Sequence, residues 1–265
     1  MGAERPSSEA FRVRIATDMP RRFRMCGRFA MDDTVNELIT EFVLATGKDP
    51  QEWTPSWNIA PTDPIPVLFA SQREEGVENR FEIGHWSLVP PFSKTLKLNY
   101  PTFNARAEDI TTKALWRKPI ASHRAIIPAL GYFEWQGEKG HKTPYFIRDP
   151  HDDVIGMAGM YSWWRDPEKS DDDPQKWRLT ATILTSDAVQ TLADIHDRNP
   201  VILPRELWQH WIDPTIVGDQ ALVDEAVRAG VAVASGLEYY EVPPVRDNGP
   251  QLIEPVGRRN VLPGL

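Results

Sequence analysis

The sequence predicts an α+β fold. Apolar or alternating strand-like runs and amphipathic helical stretches are mixed along the chain, and the two kinds never settle into a regular βαβ alternation. With 265 residues, 41% of them hydrophobic and 26% charged, the chain is long enough to bury a sizeable core in one or two domains.

The elements follow in order. Residues 1–24 are rich in Arg, Pro and Ser and show no period, so they read as disordered or outside the mature fold. Asp32, Asp33 or Thr34 can cap a helix in which Val35, Leu38, Ile39, Phe42 and Val43 recur with helical spacing until Gly47 ends it. A Pro- and Trp-rich loop spans 50–64, and strands are expected at 66–70 and 80–89. The spacing predicts a helix over 104–118, then strands at 123–130, 144–148, 154–164 and 177–186. The acidic stretch 166–174 reads as an exposed hairpin excursion. Helices near 188–195, 205–212 and 221–229 and a strand near 237–242 complete the chain. Trp163 and Trp164 read as core residues.

Composition excludes several functions. No apolar run approaches the roughly 18 residues of a membrane-spanning helix, and none of signal-peptide length follows the N-terminal arginines, so a cytoplasmic protein is expected. The single cysteine, Cys26, rules out intramolecular disulfides, Cys-rich zinc sites and iron-sulfur clusters, and no cofactor is expected. Net charge is −8; because 1–24 hold six Arg against Glu4, Glu9 and Asp18, the chain from Met25 onward carries −11. Any nucleic-acid contact must therefore use a local basic patch.

Four short stretches place polar residues where chemistry is possible: Met25-Cys26-Gly27-Arg28-Phe29-Ala30, Phe103-Asn104-Ala105-Arg106-Ala107-Glu108, Gly131-Tyr132-Phe133-Glu134-Trp135 and Ile195-His196-Asp197-Arg198-Asn199-Pro200. A lone Cys is commonly a small buried hydrophobe. Cys26, however, follows a methionine. If Met25 is the initiator and is removed, Cys26 presents an α-amine, with a pKa of about 7.7–8.0, beside its thiol. Such an aminothiol adds to an aldehyde through nitrogen and closes a thiazolidine through sulfur. Glu134 lies among aromatics, where desolvation would raise its pKa and let it act as an acid; an exposed Glu alternating with inward aromatics fits the sequence equally. His196 is either a proton shuttle or a surface residue, Asn104 an amine-orienting group or a helix cap, and Arg106 a phosphate ligand or a partner of Glu108 or Asp109.

Together the four stretches resemble the SOS-response-associated peptidase family, whose members process abasic sites and crosslink to single-stranded DNA. Trp57-Asn58-Ile59-Ala60-Pro61, His85-Trp86-Ser87-Leu88-Val89-Pro90-Pro91 and residues 249–255 are similar to further family segments. Ser87, Phe92 and Asn199 depart from the family's usual Gly, Trp and Met, and 1–24 precede its usual start. Either Met25 is the true initiator or the extension is removed, by the protein itself as the peptidase label implies; the first is favoured.

The resemblance implies a single α+β domain over 25–257, with a curved, barrel-like antiparallel sheet flanked by helices, and a tail at 258–265. It implies a Schiff base and then a thiazolidine between Cys26 and the open aldehyde of an abasic site, with autopeptidase and abasic-site lyase activity as further expectations. Glu134 would open the sugar ring, His196 would move protons and Asn104 would hold the amine. Arg28 and Arg106 would take phosphates, and Pro90, Pro91 and Phe92 would wedge against bases. The partner would be single-stranded DNA containing abasic sites, met by a monomer that becomes nucleoid-associated when crosslinked. Two rivals remain: a thiol peptidase or amidase with Cys26 as nucleophile and His196 as base, and a non-covalent single-stranded-DNA binding module.

Overall fold

The structure, a computed structural model, describes residues 27–44, 54–138 and 140–257. Cys26, the extension 1–24, Gly47 and the tail 258–265 lie outside the described residues.

The strands are β1 (Phe29–Met31), β2 (Ser56–Ile59), β3 (Pro64–Arg73), β4 (Gly76–Trp86), β5 (Asn104–Arg106), β6 (Arg124–Ala129), β7 (Gly131–Gln136), β8 (Thr143–Arg148), β9 (Ile155–Arg165), β10 (Trp177–Asp187), β11 (Arg198–Pro200), β12 (Ile202–Leu203) and β13 (Glu238–Glu241). The helices are α1 (Asp33–Leu44), α2 (Ala114–Ser122), α3 (Trp208–Ile212) and α4 (Gln220–Ser235). None among the described residues is long and apolar enough to cross a membrane.

Strands β10, β4, β3, β6 and β9 pair in that order, and β9 pairs back to β10 from Arg165↔Trp177 to Gly159↔Ile183, closing a five-stranded barrel. Closure removes the free edges that an open sheet would present. Every joint is antiparallel except β4 with β10, which runs parallel at His85↔Thr180 and Trp86↔Ala181. The run from Ile65 to Ala70 in β3 is buried at every position, because the strand has packed layers on both faces. Strands β5 and β11 extend the sheet from β10, and β12 from β9.

A second sheet has the order β13-β8-β7-β1-β2. Its alternation divides two cores. Phe29, Tyr132 and Ile147 enter the main barrel core, whereas Ala30, Phe133 and Phe146 join Leu130, Tyr240, Val242 and Leu252 in a smaller one. This is the expected α+β class with a barrel-like sheet flanked by helices.

Helix α1 starts where Asp32 accepts the Thr34 backbone N–H at 3.0 Å, and its Val35, Leu38, Ile39, Phe42 and Val43 face the core. The helix expected over 104–118 does not form as such. Asn104 to Arg106 instead pair in parallel with Ile183 to Thr185, a 3-10 turn follows at Ala107–Asp109, and only α2 is helical. The stretch 188–195 is also not a helix but a chain of tight turns, with Leu192, Ala193 and Ile195 each donating to the carbonyl three residues back. Its Val189 N–H is taken by the Asn199 side chain at 2.9 Å. Strands β1, β2 and β11 are too short to show a period. As expected for a core residue, Trp164 is buried.

Candidate active site

A cleft of about 280 Å³ opens at the end of the second sheet, lined by Gly27, Arg28, Pro61, Glu134, Trp135, Lys142 and His196. Each wall follows from local structure. Gly27 and Arg28 lead into β1, and β7 is held beside them by the Phe133 N–H donating to the Arg28 carbonyl at 2.9 Å. Arg28 is fixed by a 3.1 Å bond from its guanidinium to the Asn58 side-chain oxygen, and Asn58 donates in turn to the Asp247 carbonyl at 2.6 Å. The motif residues at 57–58 are thereby stitched to the turn before Gly249.

Glu134 is 2% exposed, so it is not the solvent-facing member of an alternating strand. It pairs across the sheet with Tyr145, whose hydroxyl burial pushes above its usual pKa. The β7–β8 turn is tight: Gly137 has φ +106°, and a Cβ there would stand 2.4 Å from the His141 carbonyl oxygen. Lys142, which leads into β8, is delivered to the cleft by this turn.

His196 ends the chain of turns after β10. Ala188 donates to the Asp197 carbonyl at 3.0 Å, closing the segment on itself, and Gln136 Nε2 donates to the Asp194 carbonyl at 2.8 Å, tying it to β7. His196 Nδ1 accepts the Arg198 backbone N–H at 3.1 Å and lies 2.9 Å from an Asp197 carboxylate oxygen. Burial is the main cause that holds the imidazole below its ordinary pKa, with Asp197 opposing it and Lys142 adding to it. At neutral pH the imidazole is therefore mainly uncharged.

Arg28, Glu134 and His196 come together in one cleft. Asn104 and Arg106 belong to β5, beside β10 in the other sheet, and are not among the cleft-lining residues. Asn104 begins a strand rather than capping a helix. Arg106 is exposed and makes no ion pair among the described residues, since Glu108 is taken by Arg198 and Asp109 by Lys113. Pro90 is buried, whereas Pro91 and Phe92 are exposed, Phe92 by 86%. Cys26 directly precedes Gly27 in the chain and lies outside the described residues. Sequence reasoning missed Lys142 and Arg198 as parts of the site's surroundings; an isolated Lys carries no motif, whereas Arg198 stands within one. No cluster of three or more His, Asp, Glu or Cys among the described residues is placed to hold a metal ion.

The family model for the SOS response associated peptidase (SRAP) matches residues 25–245. The abasic site processing protein YoqW of Bacillus subtilis (strain 168) is 32% identical over 235 residues, covering 87% of this chain and 99% of its own. YedK of Escherichia coli (strain K12), also an abasic site processing protein by name, is 31% identical over 240 residues, covering 88% and 100%. Among solved structures, a phage-related protein of Bordetella bronchiseptica superposes with a TM-score of 0.60 at 26% identity, covering 83% of this chain and 95% of its own. With the family match spanning most of its length and both sheets in place, this chain belongs to the SOS response associated peptidase family.

Proposed function

We propose that the protein processes abasic sites by crosslinking to them in single-stranded DNA through Cys26, acting as a monomer with residues 25–257 as its catalytic domain. The observation that carries this reading is the shared cleft: a buried carboxyl group, Glu134, and a mainly neutral imidazole, His196, line it together with Gly27, which follows the only cysteine. Relatives named abasic site processing proteins support it.

The reaction starts from the abasic sugar, whose closed hemiacetal is in equilibrium with an open aldehyde. Glu134 helps open the ring by giving a proton to the ring oxygen. The neutral α-amine of Cys26, oriented by Asn104, attacks the aldehyde carbon. His196 moves protons as the carbinolamine loses water to the imine. The thiol then adds across the C=N bond, sulfur to carbon and proton to nitrogen, and closes the thiazolidine. Such positioned acid-base help contributes roughly 100- to 10,000-fold. Arg28 and Arg106 take flanking phosphates, which set register, and Pro91 and Phe92 present surface to bases while Pro90 supports them from within. A free amine requires that residues before Cys26 be absent or cleaved, and hydrolysis of that peptide bond by the protein itself is the autopeptidase role.

The test is a denaturing gel with protein begun at Met25, the full chain, and single-stranded oligonucleotide with one abasic site. A slow-migrating covalent band that needs the abasic site and Cys26, and that disappears on N-terminal acetylation, is expected. Absence of a band from protein shown by mass to start at Cys26 would overturn the reading. A peptide-hydrolysing activity that survives acetylation would replace it with the thiol-hydrolase reading.

A further inference from the structure

Two stretches that the proposed chemistry leaves unused, Trp57-Asn58-Ile59-Ala60-Pro61 and residues 249–255, are joined beside Arg28 by the turn that leads into the second. Strand β2 is irregular where it runs along β1. Phe29 pairs with Ile59 but Met31 pairs with Ser56, so Trp57 and Asn58 together stand opposite Ala30 alone. Such a β-bulge bends its strand and re-aims a side chain. This one carries Asn58, whose side-chain oxygen accepts from the Arg28 guanidinium at 3.1 Å. The Arg28 carbonyl already accepts the Phe133 N–H, so β7 fixes the backbone of this arginine and β2 fixes its side chain.

The bulge is held in turn by the segment 243–256. The Trp57 N–H donates to the Asn248 side-chain oxygen at 2.8 Å, and Asn58 Nδ2 donates to the Asp247 carbonyl at 2.6 Å. Both bulged residues are thus bonded to one turn, in which Asp247 has φ +60°, a left-handed conformation that Asp tolerates and β-branched residues avoid. The turn is anchored at the opposite edge of the same sheet. Val242 and Val256 donate to the Pro144 and Glu241 carbonyls at 3.1 and 2.9 Å, the Tyr240 hydroxyl donates to the Ile253 carbonyl at 2.9 Å, and Leu252 is buried in the smaller core with Phe133. The segment is therefore a clasp between the edge strands β13 and β2, and it shares a core with the strand that carries Glu134.

We propose that Asn58, with the Asp247–Asn248 turn behind it, is a positioning residue that holds the Arg28 guanidinium in the cleft ready for a phosphate. A guanidinium carries five N–H groups in a rigid planar fork; fixing one of them on Asn58 sets the plane of the rest, as a two-bond phosphate contact requires. Without that bond the long side chain must give up its rotamer freedom when the strand arrives, which weakens binding about two- to tenfold. This assignment rests on the reading above for Arg28 as a phosphate ligand. It does not rest on the crosslinking chemistry.

The experiment measures binding of an intact, fluorescently labelled single-stranded oligonucleotide by anisotropy across about 50 to 200 mM salt, together with 15N relaxation of the Arg28 Nε–H, which needs no DNA. Asn58→Ala should weaken binding about two- to tenfold in the parent and leave it unchanged in Arg28→Ala, because the two residues act as a unit. Its salt slope should stay, since the phosphate contact still forms. Asn58→Asp sets a carboxylate against the guanidinium in competition with the phosphate, so it should bind more weakly still and lower the magnitude of the log–log slope by about 0.7, the share of one single-strand phosphate contact. Asp247→Val, which strains the left-handed turn, should behave like Asn58→Ala, and Asp247→Gly should match the parent. The Arg28 Nε–H should lose order in Asn58→Ala and Asp247→Val. An Asn58→Ala loss of equal size in the parent and in Arg28→Ala would overturn the assignment, as would unchanged binding and unchanged Nε–H order. A parent with an ordered Arg28 that binds no strand would overturn the DNA reading and with it the phosphate role given to this pair. One that binds yet forms no covalent band with abasic DNA would sink the Cys26 mechanism and leave the assignment standing.

Discussion

Arg198 grips Glu108 through two hydrogen bonds of 2.5 and 3.0 Å, across 90 residues of sequence. The guanidinium is 5% exposed and also reaches Asp187 at 2.7 Å and the Thr185 carbonyl at 2.6 Å. Burial by itself would lower the Arg198 pKa, but the carboxylates of Glu108 and Asp187 outweigh it and hold the guanidinium above its usual value. The same residue's backbone N–H fixes His196 Nδ1. One arginine thus connects the turn after β5, the strand of Asn104 and Arg106, to the imidazole in the cleft.

Glu108→Gln keeps the shape and removes the charge. A buried cation stripped of one partner is destabilising, but Glu108 is 47% exposed, so water softens the loss. The expected cost is about 1–2 kcal/mol, seen as a fall of several degrees in Tm. Crosslinking at saturating abasic DNA should slow several-fold, since His196 loses part of its frame. Unchanged melting and rate would show that Asp187 and the Thr185 carbonyl suffice.

Protonation of the Cys26 α-amine, with a pKa of about 7.7–8.0, should slow the reaction as pH falls from 8, and protonation of His196 should steepen the acid limb. Because burial, reinforced by Lys142, lowers the His196 pKa, this steeper part should begin only below the ordinary histidine value of 6.5. Lys142→Glu exchanges a charge that lowers this pKa for one that raises it, so the limb should move to higher pH. Rate profiles from pH 5 to 8 for both proteins check this; superimposed limbs would remove His196 as the titrating group.

Stability should share this direction. His85, His123 and His196 all have pKa values depressed chiefly by burial. The unfolded chain takes up protons at these sites near pH 6.5, whereas the folded chain resists until lower pH. Stability is therefore full above about pH 6.5 and falls as pH drops toward the folded values. Melting temperature measured from pH 8 to 5 should show this decline, and His123→Gln, outside the cleft, should make it shallower. A flat profile in the parent would contradict the burial argument.

What local sequence carried was period and motif. The buried run in β3 and the long hairpin β9–β10 announce themselves because many residues share one environment. The three residues of β5 do not: Asn104 pairs with Ile183 through bonds 79 residues apart in sequence, and the helical spacing after it wins on paper until that parallel pairing claims the backbone. The turns before His196 likewise depend on Asn199 reaching back to Val189. In the site, Arg28, Glu134 and His196 were legible because each stands in an unusual polar-aromatic stretch. Lys142 was not, because only the tight turn at Gly137 brings it to the cleft. The suggested Arg106 pairing with Glu108 or Asp109 assumed one continuous helix, and disappears with it.

Gln136→Ala tests whether the turn before His196 needs its tether to β7. The bond to the Asp194 carbonyl is exposed, and its net worth to stability is about 0.5–1.5 kcal/mol. Its effect on chemistry should be larger, because small displacements of a proton-transfer group carry steep rate penalties. A roughly tenfold slower single-turnover crosslinking at saturating DNA is expected, with unchanged binding of intact strand. Loss of DNA binding instead would mean that the tether shapes the groove and not the imidazole.

Arg124→Lys should be far from conservative. Arg124 is 2% exposed, and all five of its N–H groups are directed at backbone carbonyls: Nε to Trp211, one terminal nitrogen to Ile120 and Ala121, the other to Asp213 and Ile216. No carboxylate shares these bonds; the guanidinium closes the C-terminal turn of α2 and the loop after α3 around one cation. An ammonium offers three donors, so at least two buried carbonyls lose theirs, at about 1–3 kcal/mol each. Denaturant unfolding should show a loss of about 2–5 kcal/mol, with crosslinking by the folded fraction retained, because Arg124 does not line the cleft. Arg124→Met separates the carbonyl cage from simple packing against Trp211. It keeps a long apolar side chain and removes all five donors, so it should destabilise more than Lys does. If Met proved the milder change, the burial of the charge, not the satisfaction of the carbonyls, would govern this site.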